Sequence, residues 1–180
     1  MQLANQAVTE VRRRLTMHHR GRRGRKGNRE WELRNRLTRS AARMHADHLD
    51  PMVDQLQALG KLGTDLLTAW NAKEDLLDLL ALARTNPDRE QTARLLYRFY
   101  RRCAASGLPE LERLAATIET WWPQILAFIH TRVTNAGSEG TNRVIKTIAR
   151  NAYGFQNPNN QRLRTRCATT RRARGCLNPA

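Results

Sequence analysis

Apolar residues recur every three or four positions along most of this chain, and this spacing limits the possible folds more than any other feature. The spacing is clearest between positions 110 and 130, where Leu111, Leu114, Ile118, Trp122 and Ile125 would form one stripe on a helix. We find no convincing strand pattern anywhere in the sequence. The pattern predicts a mainly α-helical chain of about seven helices.

Residues that interrupt the apolar spacing set the expected helix boundaries. Asp50-Pro51, Asn86-Pro87-Asp88 and residues 106–109 are expected to break the chain, and Pro123 to kink its helix. The expected helices span residues 2–15, 30–46, 52–67, 73–83, 88–105, 110–130, a short segment around 139–150, and 157–167. Arg12 to Arg14 would complement the dipole at the end of the first helix. Trp121 and Trp122 are expected to anchor the core, and the alternative is a base-stacking platform.

The charge of the chain indicates a polyanionic partner. Lysine and arginine number 32 against 16 acidic residues, which gives a net charge of +16. A membrane surface is also anionic, but no apolar run approaches the roughly 20 residues of a spanning helix. The charge therefore favours a cytoplasmic nucleic-acid-binding protein without a membrane partner. Cys103, Cys167 and Cys176 are expected to be free thiols, and their spacing to the histidines does not suggest zinc.

The densest positive charge lies in residues 18–29, HHRGRRGRKGNR. Glycine disfavours regular structure and the like charges repel one another, so we expect an exposed, flexible loop. Its candidate DNA-binding side chains are Arg22, Arg23, Arg25 and Lys26. The alternative is a loop that only keeps the chain soluble.

The segment 131–166 contains a short helix with two different faces. Its polar side would carry Glu139, Asn142, Arg143, Lys146 and Arg150. Its other side would carry Thr141, Val144, Ile145 and Ile148. A carboxylate at the head of a row of cations suits a place where a metal ion and a phosphate backbone meet. The alternative is a solvated face whose glutamate only complements the helix dipole.

The residues of this segment, NAGSEGTNRVIK followed by RNAYGFQNPNNQRLRTR, resemble the C-terminal end of bacterial insertion-sequence transposases of the ISL-three family. The segments LANQAVTEVRRRLT, GRRGRKGNREWELRNRLTR and WNAKEDL also look like that family, so the resemblance covers nearly the whole chain. The family has an RNase H-like catalytic domain with three catalytic acids, called a DDE domain. The last of these acids matches Glu139.

The resemblance implies a fold and a domain arrangement. The chain would be the helical insertion plus the C-terminal helices of an RNase H-like (α/β) transposase domain whose strands are mostly absent from it. Residues 1–167 would belong to that domain, with 18–29 as the basic loop, 30–130 as the helical region and 134–156 as the motif with the third acid. Residues 168–180 would be a basic, frayed tail. The two catalytic aspartates would lie before Met1.

The resemblance also implies an activity. The full protein would bind insertion-sequence ends and target DNA and catalyse cleavage and strand transfer with Mg²⁺ or Mn²⁺, held in part by Glu139. Arg162 and Arg166 would extend the DNA-binding surface. One carboxylate cannot hold two such ions, so this chain alone is expected to be inactive.

Two alternatives to a transposase fragment with a catalytic role remain open at this point. One is a DNA-binding remnant that competes with intact transposase or joins it in oligomers. The other is a decayed remnant without a role. In either case the expected location is the bacterial cytoplasm, at the nucleoid, and a second copy of the chain is a further candidate partner.

Overall fold

The computed structural model describes residues 2–133, 136–152, 154 and 157–173. These residues form ten α-helices and no strand, so the predicted mainly α fold is confirmed. The chain divides into two compact units, Met1–Arg132 and Val133–Ala180. None of the described helices is both long enough and apolar enough to cross a membrane.

The first unit holds the three longest described helices and the buried apolar core. Its helices are α1 (Gln2–Arg20), α2 (Arg29–Glu32), α3 (Arg34–Leu37), α4 (Ala46–Gln57), α5 (Lys61–Ala81), α6 (Arg89–Ala105), α7 (Pro109–Thr120) and α8 (Trp122–Thr131). Short 3-10 turns occupy Ala41–Arg43 and Leu82–Arg84. The second unit contains α9 (Ala136–Asn151) and α10 (Pro158–Ala173), which pack against each other.

Helix α5 lies at the centre of the first unit, in contact with α1, α4 and α6. Because three helices surround it, α5 buries residues on more than one side, including Leu66, Ala69 and Leu79. Val11 of α1 and Phe99 of α6 are also fully buried in this core. The apolar stripes of the sequence therefore meet around one central helix.

Two glycines set the boundary between α4 and α5. Gly60 has a φ of 60° and a ψ of −134°, a backbone conformation that residues with a Cβ rarely adopt. A Cβ at Gly63 would lie 1.6 Å from the carbonyl oxygen of Leu56, so only glycine allows this close approach. The boundary predicted from the sequence, between residues 67 and 73, is therefore wrong, because the effect of this pair of glycines was underestimated.

Two other predicted boundaries were also wrong, and one predicted interruption was confirmed. Asp50-Pro51 lies inside α4, where the proline loses one backbone hydrogen bond without ending the helix. The predicted helix 30–46 is two four-residue helices followed by a 3-10 turn. The expected interruption at Pro123 is confirmed, because the helix predicted over 110–130 divides at Trp121, two residues before the proline; Trp121 is 56% exposed, whereas Trp122 packs against the core.

The polar part of the WNAKEDL segment joins α5 to its neighbours. The Lys73 ammonium is buried and donates a hydrogen bond to the carbonyl of Arg39. The Glu74 carboxylate accepts a hydrogen bond from the backbone N–H of Ala41 at 3.0 Å. On α6, Arg102 donates to the Asp75 carboxylate at 2.5 Å. These contacts give this family-like segment a structural role in holding α6 and residues 39–41 against α5.

Candidate nucleic-acid interface

The polar face that the sequence predicted for α9 is accessible to solvent. The exposed residues are Glu139, Asn142, Arg143, Lys146 and Arg150. The apolar side chains Val144, Ile145 and Ile148 are half-buried, and the side chain of Thr141 lies outside the described residues. Because α9 packs against α10, its apolar residues find partners within the second unit while its cations stay in water.

Glu139 lies in the first turn of α9, at one end of this row of cations. In the part of the chain that the structure describes, its carboxylate forms no ion pair closer than 4.0 Å. The carboxylate is therefore available to a ligand from outside the chain.

Helix α10 carries the other two cations that the sequence predicted to bind DNA. Arg162 and Arg166 line a shallow groove of about 560 Å³ on its surface. The helix starts after Asn157, whose side-chain oxygen accepts a hydrogen bond from the Asn159 N–H at 2.9 Å. It ends at Ala173, six residues beyond the predicted end, so the first part of the predicted frayed tail is helical. Residues 174–180 lie outside the described residues.

The basic loop joins α1 to α2 in the first unit. It is shorter than predicted, because α1 continues through His18 and His19 to Arg20. The predicted DNA-binding residues of this loop are all exposed; they are Arg22, Arg23, Arg25 and Lys26.

Hydrogen bonds give this loop a defined shape, whereas the sequence predicted a flexible segment. The N–H of Arg25 donates to the side-chain oxygen of Asn28 at 3.1 Å, and the N–H of Gly27 donates to Glu32 at 3.1 Å. Gly21 and Gly27 have φ values of 66° and 90°, which glycine adopts without strain. The side chains of Asn28 and Glu32 supply the acceptors that the basic run itself lacks.

An ion pair fixes the base of the loop. Arg20 donates to the two oxygens of Glu30 at 2.5 Å and 3.2 Å, and the Glu30 side chain is fully buried. Burial by itself raises the pKa of Glu30, but the hydrogen bonds from Arg20 and from the backbone outweigh it and lower the pKa. The last turn of α1 is therefore held to α2, and Arg20 is occupied by a protein partner.

A groove of about 570 Å³ lies beside this loop. Four arginines line it: Arg12 and Arg13 of α1, Arg23 of the loop and Arg34 of α3. Trp31 and Gly24 complete its walls together with Met17, and no carboxylate lines it. We call this feature the arginine groove.

Close contacts fix the walls of the arginine groove. The Arg34 guanidinium lies 3.6 Å from the centre of the Trp31 ring and donates to the Trp31 carbonyl at 3.0 Å. A Cβ at Gly24 would lie 3.3 Å from both Thr16 and Trp31, so the loop passes close to α1 and α2 here. Glycine at this position therefore lets Arg23 reach the same groove as the helix arginines.

Arg12 has the most unusual environment of the four arginines. It is only 8% exposed, and in the described part of the chain it has neither a hydrogen bond nor an ion pair. Burial lowers the pKa of Arg12, and the charges of Arg13 and Arg34 lower it further. The charge of Glu30 acts in the opposite direction and raises the pKa, but Glu30 is already paired with Arg20. The charge of Arg12 is therefore only partly balanced, and this position favours an anionic ligand.

Arg12, Arg13 and Arg34 were not predicted from the sequence to be binding residues. The run Arg12 to Arg14 was expected to lie at the end of a helix, where cations complement the dipole. One signal was available, because Arg12 follows Val8 by four residues and so falls on the buried side of α1. The contribution of Arg34 depends on how α3 packs beside α1, which the local sequence does not reveal.

The described residues do not by themselves fit the Mg²⁺ or Mn²⁺ ions that the resemblance implies. Among them, no three histidine, cysteine, aspartate or glutamate side chains lie close enough together to hold a metal ion. Glu139 could contribute one oxygen ligand, whereas Mg²⁺ prefers near-octahedral oxygen coordination and two ions need several carboxylates. We therefore assign no chemical step to a metal bound by these residues alone.

Comparison with known proteins identifies the family. A family model described as "Transposase", for the DDE domain of the ISL-three group, matches residues 1–165. The chain belongs to this transposase family. No curated protein and no solved structure matches it. The matched region of this transposase includes both the arginine groove and the polar face of α9.

Proposed function

We propose that this transposase chain binds DNA through its exposed cations and contributes Glu139 as the third metal-binding carboxylate of a DDE active site. The observation that carries the proposal is the face of α9. There Glu139 stands exposed at the head of Asn142, Arg143, Lys146 and Arg150. In a family of DNA-cutting enzymes, a carboxylate beside a row of cations suits a metal that contacts a phosphate held by the protein.

The other two acids of such an active site would come from polypeptide outside these 180 residues. Several described acids are already engaged in the first unit, since Glu30, Asp75 and Glu110 each pair with an arginine. Glu139 is the one acidic residue of α9. We therefore propose that the chain alone does not cut DNA, and that the activity belongs to a polypeptide that also supplies two aspartates.

The locus provides a first test of this proposal. The DNA upstream of the Met1 codon would be read in frame and one frameshift away. We expect two aspartates in short segments with strand-like alternation, one of them shortly before MQLANQAV. A purified 180-residue chain that nicks plasmid DNA with Mg²⁺ or Mn²⁺, and loses the activity in Glu139→Gln, would contradict the proposed division of the active site.

A polypeptide that includes the upstream acids allows the role of Glu139 to be measured directly. We expect Glu139→Gln to abolish cleavage and strand transfer while DNA binding is retained. The matched control is Glu112→Gln, because Glu112 is also an exposed acid in the first turn of a helix, α7. Equal activity of the Glu139→Gln and Glu112→Gln proteins would exclude Glu139 from the active site.

A second candidate function is DNA binding without chemistry, in which the chain competes with intact transposase for element ends or joins it in mixed oligomers. The exposed loop cations Arg22, Arg25 and Lys26 and the α9 cations Arg143 and Lys146 favour it, because phosphate binding does not require the missing acids. To test this function, the 180-residue chain would be added to intact transposase bound to element-end DNA, and strand transfer would be measured. Lower strand transfer, with binding that weakens as salt rises, would support this function.

A further inference from the structure

We propose that the arginine groove binds one backbone phosphate of DNA, with the buried Arg12 as its anchor. This inference rests on the proposed DNA binding and specifies a site in the first unit of the chain, whereas α9 belongs to the second. It concerns Arg12, Arg13, Arg23 and Arg34. Arg23 alone belongs to the exposed loop, and the other three come from helices.

The shape and charge of the groove fit a phosphate within a nucleotide strand. Its volume of about 570 Å³ lies within the roughly 300–1,000 Å³ of small-molecule sites, so it has room for a nucleotide unit. Four arginines line it and no carboxylate does, and the nearby Glu30, whose charge acts on Arg12, is already paired with Arg20. Guanidinium groups bind phosphate oxygens through two parallel hydrogen bonds, which makes arginine the side chain best suited to such a ligand.

Arg34 is held in place before any ligand binds. Its guanidinium stacks 3.6 Å from the centre of the Trp31 ring and donates one hydrogen bond to the Trp31 carbonyl. Binding of a phosphate by the remaining N–H groups of Arg34 would therefore cost little side-chain conformational entropy. A mobile surface arginine would lack this advantage.

Arg12 distinguishes this groove from an ordinary basic surface. Its neighbour Arg14 also lies on α1, but Arg14 has a protein partner in Glu110. Arg12 is buried and has no partner among the described residues, although the groove gives it an opening to solvent. A buried charge that a fold tolerates without a partner is expected where a ligand supplies the opposite charge.

DNA binding by the 180-residue chain tests the proposal without any metal. Fluorescence anisotropy with a labelled duplex would be recorded over a series of KCl concentrations for the wild type, Arg12→Met, Arg34→Gln and Arg94→Gln. Arg94 is the control, since it is exposed on α6 and its substitution removes the same charge. Methionine keeps the apolar stem of Arg12 and removes only its charged end.

We expect Arg12→Met and Arg34→Gln each to weaken binding about tenfold, as for the loss of a charged hydrogen bond. Each should also make the slope of log K against log salt shallower by about 0.9, the value for one lost phosphate contact. Arg94→Gln should leave the slope unchanged. Wild-type affinity and slope in both groove variants would overturn the inference, while the proposed DNA binding would stand. Absence of DNA binding by the wild type would instead overturn the proposed function.

Thermal unfolding shows whether Arg12 has a ligand role or a structural one. In KCl, Arg12→Met should melt at or above the wild-type temperature, because it removes a buried charge that has no hydrogen bond or ion pair among the described residues. At equal ionic strength, inorganic phosphate should raise the melting temperature of the wild type and of Arg94→Gln, but raise that of Arg12→Met less. The control measures the general stabilisation by phosphate. A lower melting temperature of Arg12→Met in chloride, with the same response to phosphate as the control, would show a structural role and overturn the inference.

The same variants distinguish a site for the DNA backbone phosphate from a site for free inorganic phosphate. If the groove is a DNA site, inorganic phosphate should compete only at concentrations far above those of the duplex, and the groove variants should lose DNA affinity. If phosphate stabilises the wild type but the groove variants bind DNA as the wild type does, the groove is a site for free phosphate, and the inference of a DNA contact is overturned.

Discussion

Arg14 of α1 forms a two-point ion pair with Glu110 in the first turn of α7. Its Nε lies 2.6 Å from one carboxylate oxygen and its second nitrogen 2.9 Å from the other. The two residues are 96 positions apart in the sequence. The Glu110 side chain is only 4% exposed, whereas the Arg14 side chain is 42% exposed. The pair therefore joins two distant helices through a carboxylate that has lost most of its water.

The first prediction concerns the pH dependence of this pair. The hydrogen bond from Arg14 lowers the pKa of Glu110 and outweighs the effect of burial, which raises it. A lowered carboxylate pKa stabilises the fold above the unfolded value, about 4.3, and this stabilisation is lost as pH falls through the folded pKa. At pH 7 we expect Glu110→Gln to lower the free energy of unfolding by about 1–2 kcal/mol, a modest value because solvent screens Arg14. Urea unfolding at pH 7 and pH 3 measures this difference.

At pH 3 the difference in stability between the wild type and Glu110→Gln should be smaller than at pH 7, because the carboxylate is then largely protonated in the unfolded chain and the stabilisation is being lost. The control is Glu112→Gln, an exposed substitution in the same turn, which should change little at either pH. A difference between wild type and Glu110→Gln that is the same at both pH values would contradict the role of the ion pair.

The second prediction concerns the crossing of α4 and α5. Gly63→Ala places a Cβ against the backbone of Leu56, at 1.6 Å from its oxygen and 2.5 Å from its carbonyl carbon. Backbone atoms cannot rotate away as a side chain can, so the helices must separate. We expect a loss of about 3 kcal/mol or more in the free energy of unfolding, at the upper end for overpacking. Thr64→Ala, exposed on the same helix, should change stability by about 0.5 kcal/mol at most. Equal stability of the two variants would show that the helices do not pack as described.

The third prediction concerns the reactivity of two cysteines. Burial raises the pKa of the Cys103 thiol to about 12, and the nearby Asp75 adds to the increase. Cys167 is exposed on α10. In a short iodoacetamide reaction at pH 8, peptide mass spectrometry should find Cys167 modified and Cys103 protected. In urea both should react. Rapid native modification of Cys103 would mean that α6 is not packed against α5.

The fourth prediction concerns the cations of α9. Replacing Arg143 and Lys146 together by glutamine should make the salt slope of duplex binding shallower by about 1.8, because two phosphate contacts are lost. Circular dichroism should show unchanged helicity, since both side chains are exposed. The charge-matched control is the pair Arg94→Gln and Arg101→Gln on α6, where both arginines are also exposed. A slope that changes equally in the two double variants would show only an effect of net charge.

Local sequence was sufficient to predict the amphipathic helices. The stripe Leu111, Leu114 and Ile118 is buried as the spacing predicted, because a helix brings residues three and four apart onto one side whatever packs there. The same reasoning explains why Arg143 and Lys146 of α9 are exposed while Ile145 is half-buried. The net charge likewise predicted a polyanionic partner, since it is a sum over residues and does not depend on the fold.

Helix ends and individual burial were less predictable, because neighbours in space decide them. Asp50-Pro51 contains a strong helix-breaking residue, yet α4 continues through it, and the packing of Met52 and Leu56 in the core supports the helix there. Trp121 and Trp122 are adjacent and chemically identical, but only Trp122 packs against the core. Their sequence environments did not distinguish them, because the division between α7 and α8 sets which ring faces inward.

For the candidate sites, the sequence by itself determined the amphipathic helices, the cationic character of the chain and the position of Glu139 at the head of the α9 cations. Only the tertiary structure decided what each arginine of the run Arg12 to Arg14 contacts. Arg14 pairs with a glutamate 96 positions away, and Arg12 is buried beside Arg34 without a partner among the described residues. The physical reason is that helical periodicity is a local property, whereas desolvation and ion pairing depend on groups that distant segments bring to the same place.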